Sequence, residues 1–292
     1  MSIKSILFRF ICKRGDDKRD AGLVTPADIV RFDDIRYGPD EKANVLDVYR
    51  PRAEAGPLPV IVSIHGGGWV YGDKERYQYY CMSLAQYGFV VVNFTYRLAP
   101  KHKYPAPLED TNRVIRWILE NADAYGFDTK HVFGVGDSAG AHLLGLYCCL
   151  CTNPAFAQSL PFAPPKDFRP KAVALNCGVY RMERGKRRDP LMADLLPQKG
   201  TAEELRNISV TEHVTADFPP AFVMTAEGDF LADQALPFTE LLQSLGVPAE
   251  YHYYGDPQHV LGHVFHCNMR LAEAEQCNRD ECGFFRGFLT EE

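Results

Sequence analysis

Residues 136–140 read Gly-Asp-Ser-Ala-Gly and directly follow the apolar run Val132-Phe133-Gly134-Val135. A buried strand, a sharp turn carrying a serine and then a helix is the setting in which G-x-S-x-G exposes a nucleophile. Such a turn strains the backbone of its serine, and side chains on the flanking glycines would collide with the adjoining strand or helix. A second run, His65-Gly66-Gly67-Gly68-Trp69, follows another apolar stretch, Val60-Ile61-Val62-Ser63-Ile64. A His-Gly-Gly-Gly loop upstream of such an elbow pairs a nucleophile with an oxyanion hole. That is equipment for acyl transfer through Ser138.

A serine nucleophile needs a base, and the base needs an orienting carboxylate; on an elbow of this kind both follow the serine in the chain. The run Ala221-Phe222-Val223-Met224-Thr225-Ala226 leads into Glu227-Gly228-Asp229. Asp229 therefore falls in the turn past a strand end, within reach of a histidine. Asp233 is better placed to N-cap a helix over 233–245, and Glu227 belongs to the strand end and is expected to point away. The run Glu250-Tyr251-His252-Tyr253-Tyr254 leads into a loop with His259, His263 and then His266. A base belongs at the end of that loop, which His263 fits. His259 competes with it, His266 is expected inside the final helix, and His252 alternates within a strand.

The elements that must position these groups alternate. Strand-like apolar runs occur near 44–49, 59–64, 89–95, 131–135, 171–176, 220–226 and 249–254, separated by helix-prone stretches near 76–87, 107–122, 139–151, 233–245 and 264–289. Val114, Trp117 and Ile118 recur at i, i+3 and i+4, with Ile115 broadening the face. This order predicts a mostly parallel sheet covered by helices on both faces. Residues 152–170 and 178–218 interrupt it, and the sheet needs neither. The second leaves after the strand at 171–176, so it is read as a small cap insertion, 178–218, over the strand ends. Its basic run, Arg181 to Pro190, is read as a solvated face.

The chain has 292 residues, which suits one α/β domain, 1–292. A net charge of -6 argues against a nucleic-acid partner, and no apolar stretch approaches the ~20 residues of a membrane span. The basic, apolar start, Met1 to Arg14, has no apolar run longer than three residues and no small-residue cleavage site. It is read as a short amphipathic helix packing on the body, within an N-terminal cap-like segment, 1–40, and the chain as cytoplasmic. The nine cysteines agree with that compartment. Cys148, Cys149 and Cys151 lie in a predicted helix and are read as buried thiols rather than a redox or metal site.

Four motifs occur in the order seen in one family: His65-Gly66-Gly67-Gly68-Trp69, Tyr96-Arg97-Leu98-Ala99-Pro100, Gly136-Asp137-Ser138-Ala139-Gly140 and Asp229-Phe230-Leu231-Ala232-Asp233. From about residue 45 onward the chain resembles the hormone-sensitive-lipase-like branch of the α/β-hydrolases, rich in bacterial carboxylesterases and acetyl esterases. The N-terminal ~40 residues and the insertions at 152–218 carry none of its motifs. The resemblance implies the α/β-hydrolase fold, with Ser138, Asp229 and His263 as catalytic residues. His263-Val264-Phe265 resembles the family's His-x-Phe. It further implies oxyanion donors at the backbone N–H groups of Gly67, Gly68 and Ala139, a structural role for His65, and neither cofactor nor metal. Trp69 and Tyr71 are candidates to line the substrate pocket. The expected activity is a serine carboxylesterase acting on small short-acyl esters, with acetylated sugars the favoured substrate. A feruloyl-type esterase and an arylformamidase-like amidase are the alternatives, and a non-catalytic ligand-binding α/β-hydrolase is the rival from another class.

Overall fold

In the computed structural model, which describes residues 2–183 and 190–289, the apolar runs become strands of one eight-stranded sheet. The strands are β1 (Ile29–Arg36), β2 (Val45–Pro51), β3 (Leu58–Ile64), β4 (Val90–Phe94), β5 (Phe127–Asp137), β6 (Val173–Asn176), β7 (Ala221–Ala226) and β8 (Ala249–Tyr254). Across the sheet they run β1-β2-β4-β3-β5-β6-β7-β8. The pairs β1/β2 and β2/β4 are antiparallel, and every pair from β4 onward is parallel.

Parallel neighbours need crossovers, and helices between the strands supply them. The helices in chain order are α1 (Ile3–Asp20), α2 (Lys74–Ala85), α3 (Ala106–Glu120), α4 (Ala122–Tyr125), α5 (Ala139–Thr152), α6 (Pro154–Gln158), α7 (Pro190–Leu195), α8 (Ala202–Asn207), α9 (Ala232–Ser244) and α10 (Ala272–Arg286), of which α1 precedes the first strand and α10 follows the last. Because strand side chains alternate, β3 feeds two cores. Val60, Val62 and Ile64 belong to the core that also holds residues of α3, α5 and α9, while Ile61 belongs to the one that holds residues of α2 and α10. The predicted stripe of α3 is buried at Val114, Ile115 and Ile118. No helix among the described residues is long and apolar enough to cross a membrane.

The sheet has a switch point. From β3 the chain crosses to β4 on one side, and from β4 it returns to β5 on the other. The carboxyl ends of β3 and β5 therefore border a crevice, the place where such sheets bind ligands. The glycine loop 65–69 leaves β3 and the serine elbow leaves β5, so both open into that crevice.

Three expectations need correction. Strand β1 was not foreseen: only its first residue is buried, and Asp33 and Asp34 interrupt it at a register shift on the sheet edge. The cap-like part of the segment 1–40 is therefore α1, since residues 29–36 join the sheet. The final helix starts at Ala272 rather than 264, because Val264 is left-handed (φ 55°) and only a 3-10 turn, Phe265–Cys267, follows. Asp233 does not cap α9; Leu231 holds that position and Asp233 lies in the first turn. The cap insertion contributes α7 and α8, and the stretch 184–189 of its basic run lies outside the described residues. All nine cysteines are free; Cys148 and Cys149 are buried on α5, whereas Cys151, expected to be buried with them, is half-buried.

One buried acid makes a stability prediction. Glu281 of α10 is fully buried and accepts hydrogen bonds from Tyr80 Oη (2.9 Å) and Asn176 Nδ2 (2.6 Å), with no cation bonded to it among the described residues. Burial pushes its carboxyl up to about 7 against those two hydrogen bonds. A carboxyl raised on folding binds its proton more tightly in the native state, so its contribution to stability is lost as pH rises from about 4.5 to about 7. Glu281→Gln should remove that dependence and stabilise the protein at pH 8 by on the order of 1–3 kcal/mol. Thermal unfolding of both proteins across this pH range checks it: parallel Tm profiles would refute the assignment.

Candidate active site

Ser138 has φ 51° and ψ −116°, a left-handed strained conformation at the junction of β5 and α5. Its N–H donates to Asn176 O (2.9 Å), which ties the elbow to the end of β6. The flanking glycines are required by contact. A Cβ on Gly140 would sit 1.9 Å from Ile64 O, and one on Gly136 would sit 2.7 Å from the Gly140 backbone.

The glycine loop is braced from three sides. Asp137 Oδ1 accepts from Gly66 N–H (3.1 Å), and Asp137 Oδ2 accepts from Tyr77 Oη (2.8 Å). Tyr96 Oη donates to His65 O (3.0 Å), and Ala99 N–H donates to Trp69 O (3.0 Å). The Tyr96-to-Pro100 motif thus buttresses the loop, while its Arg97 is held by Glu109 and Asp110 of α3. His65 is fully buried, stacks on Tyr96 at 4.1 Å, and is pushed down to about 4 by burial. It is neutral and packed beneath the loop. The loop makes its bend at Gly67 (φ 107°), where a Cβ would lie 2.2 Å from Tyr71 O.

His263 and Asp229 meet. His263 Nδ1 is 2.7 Å from Asp229 Oδ1, and Asp229 also accepts from Thr225 Oγ1 (2.8 Å) and Leu231 N–H (2.9 Å). Burial works to raise the Asp229 carboxyl, but the His263 contact and these donors hold it below the usual carboxylate range. Asp229 stays ionised, and its bond to Nδ1 leaves the His263 Nε2 lone pair free to act as a base.

The competitors are placed elsewhere. Exposed His259 pairs with Glu273 (2.7 Å). His266 is not in the final helix but in the 3-10 turn, buried edge-on against Tyr80 and pushed down to about 3 by burial. His252 lies in β8, stacked on Phe222. Glu227 accepts the hydroxyl of Tyr253 in an exposed contact, and Asp233 is exposed.

Ser138, Ala139, Gly67, Gly68 and His263 all line one cavity of about 610 Å³, with Asp229 buried behind His263. Ala139 opens α5, so its N–H has no partner within the helix, and the positive end of the helix faces the cavity. Trp69 and Tyr71 are in the wall, each fixed by a hydrogen bond: Trp69 Nε1–H to His142 Nδ1 (3.2 Å) and Tyr71 Oη to Asp16 Oδ2 (2.8 Å). The remaining wall was not foreseen. Phe8, Ile11, Cys12, Asp16 and Arg19 of α1 roof the cavity, and Leu191, Met192 and Leu205 of the cap insertion close its side. Only the amphipathic character of α1 hinted at a docked position. The motif residue Asp137, given no role beforehand, links the elbow to the glycine loop; burial pushes it up to about 6.

Among the described residues, the donor atoms of Cys177, Asp229 and His263 lie within 4.8 Å of one another. A metal there would have to break the His263–Asp229 hydrogen bond. Burial also raises the Cys177 thiol well above its ordinary value, which withholds the thiolate a metal needs.

A family model described as alpha/beta hydrolase fold matches residues 61–263. The probable carboxylic ester hydrolase LipM of Mycobacterium tuberculosis is 32% identical over 225 residues, covering 73% of this chain and 52% of LipM. This match spans about half the length of that curated relative. Carboxylesterase NlhH of the same organism is 30% identical over 270 residues, covering 88% of this chain and 84% of NlhH. The crystal structure of esterase B from Lactobacillus rhamnosis, inhibited by a tributyrin phosphonate, superposes with TM-score 0.87 at 25% identity, covering 98% of this chain and 94% of that one. With its matched segment carrying both the glycine loop and the serine elbow, the chain belongs to the hormone-sensitive-lipase-like branch of the α/β-hydrolases.

Proposed function

We propose that the protein is a serine carboxylesterase that hydrolyses short-acyl esters through an acyl-enzyme. The observation that carries this reading is Ser138, on a strained elbow, sharing a cavity with a His263 whose far nitrogen is held by ionised Asp229. Ser138 Oγ attacks the ester carbonyl carbon while His263 Nε2 takes its proton. The resulting oxyanion lies against the N–H groups of Gly67, Gly68 and Ala139, each such donor being worth about 3–4 kcal/mol in the transition state. The intermediate collapses as His263 hands the proton to the departing alcohol. Water, activated by His263, then attacks the acyl-serine and releases the acid.

The acyl group is short because the wall is fixed. Trp69 is locked to His142, and about 610 Å³ must hold acyl and alcohol parts together. A relative named versiconal hemiacetal acetate esterase, from Dothistroma septosporum, and the C4 chains of the inhibitor bound to esterase B support the same size class. The lining by Phe8, Ile11, Trp69, Leu191, Met192 and Leu205 favours an apolar alcohol over the acetylated sugar expected from the sequence.

Across p-nitrophenyl acetate, butyrate, hexanoate, octanoate and decanoate, kcat/KM should peak at acetate or butyrate and fall about tenfold or more by octanoate. A dry channel would instead add ~0.8 kcal/mol of binding per methylene. An optimum at octanoate or longer refutes the short-acyl reading, and no hydrolysis at any length refutes the esterase.

A further inference from the structure

Helix α1 is amphipathic the wrong way round for a helix docked on a protein. Its inward residues are mostly polar anchors: Ser5 Oγ donates to Asp194 Oδ2 of α7 (2.6 Å), and Asp16 accepts from Tyr71 (2.8 Å). Phe8 and Cys12 fill the space between them. Its outward residues Ile3, Ile6, Leu7, Phe10 and Ile11 follow the spacing of one helical face, and each is 54–85% exposed. Scattered exposed apolar residues need no explanation, but a continuous stripe on one helix marks an interaction surface.

Charge selects the occupant. The helix carries six basic and three acidic residues, in a chain whose net charge is -6. No acid precedes Asp16, whereas Lys4 and Arg14 border or interrupt the apolar stripe, with Lys13 beside it paired to Asp17 (2.7 Å). A second copy seated on this stripe would bring these cations against their own equivalents. A surface that is both apolar and negatively charged satisfies the stripe and its cations together, which describes an anionic phospholipid bilayer. Ile11 belongs to the stripe and also to the cavity lining, so the docked face is continuous with the cavity mouth. Phe230, 72% exposed, lies at the same rim against His263.

We propose that α1 docks the protein flat on an anionic phospholipid surface through Ile3, Ile6, Leu7, Phe10 and Ile11, with Lys4 and Arg14 on the lipid headgroups and the cavity mouth turned towards the bilayer. This docking involves no chemistry, so it stands or falls separately from the esterase reading. The test is co-sedimentation of the full chain with vesicles of phosphatidylcholine alone and of phosphatidylcholine with about one-third phosphatidylglycerol. Binding is expected only to the phosphatidylglycerol vesicles, weakening as salt rises. The double variant Leu7→Ser/Phe10→Ser should lose about tenfold or more of the partitioning, because its exposed apolar surface is gone. Its Tm and its hydrolysis of soluble p-nitrophenyl acetate should match the wild type. Failure of the wild type to bind the anionic vesicles, or equal binding by the double variant, overturns the proposal. So does a wild-type dimer in solution that the double variant splits, which would make the stripe a subunit interface. Vesicle binding by a protein that hydrolyses no ester would overturn the esterase reading and leave the docking intact.

Discussion

Ser138→Ala should abolish ester hydrolysis, with kcat falling by about 10⁴–10⁶ while the fold is kept. The loss follows from the chemistry: a methyl group has no oxygen to form the acyl-enzyme, and donors and cavity alone leave only a residual advantage over water. Retention of the fold follows from the elbow. The Ser138 side chain faces the cavity, and the elbow is tied down through its backbone, with Ser138 N–H donating to Asn176 O (2.9 Å). Alanine carries the same Cβ into the same left-handed backbone, so the replacement adds no strain. Two measurements settle it: kcat/KM on p-nitrophenyl acetate, and Tm. Residual activity above about one per cent in a contaminant-free preparation would mean that another residue is the nucleophile.

What the sequence disclosed is what is local. The elbow was legible because Gly136, Ser138 and Gly140 answer to contacts within one turn and the adjoining strand end, such as the 1.9 Å approach that forbids a side chain at Gly140. The buried parallel strands were legible because β3 and β5 must be apolar on both faces. Strand β1 was not, because an edge strand with Asp33 and Asp34 has no clean alternation. The 264–271 stretch has the composition of a helix start. The left-handed turn at Val264 that interrupts it is set by long-range demands, the His263–Asp229 bond and the burial of His266. The roof over the cavity was also hidden. Helix α1 is placed by bonds to residues 55 and 189 positions away, Tyr71 to Asp16 and Ser5 to Asp194, which no local pattern reports.

His263→Ala should cost nearly as much as the serine change, about 10⁴-fold or more in kcat, while His259→Ala should stay within about twofold. Both histidines were candidates in the sequence, and their surroundings separate them. His263 faces the cavity with Nδ1 held by a buried carboxylate, whereas His259 is exposed and spends its ring nitrogen on Glu273. The acid follows the same logic. Asp229→Asn should cost about 10⁴ in kcat, because an amide stabilises neither the tautomer with Nε2 free nor the imidazolium formed during attack. KM should change little, since Asp229 lies behind His263 and does not line the cavity. Asp233→Asn should be nearly silent, its side chain being exposed in the first turn of α9. A Tm within a few degrees of wild type would separate lost chemistry from lost folding in the Asp229 variant, whose carboxylate also accepts from Thr225 and Leu231. The reverse ranking in either pair would move the base to His259 or the acid to Asp233.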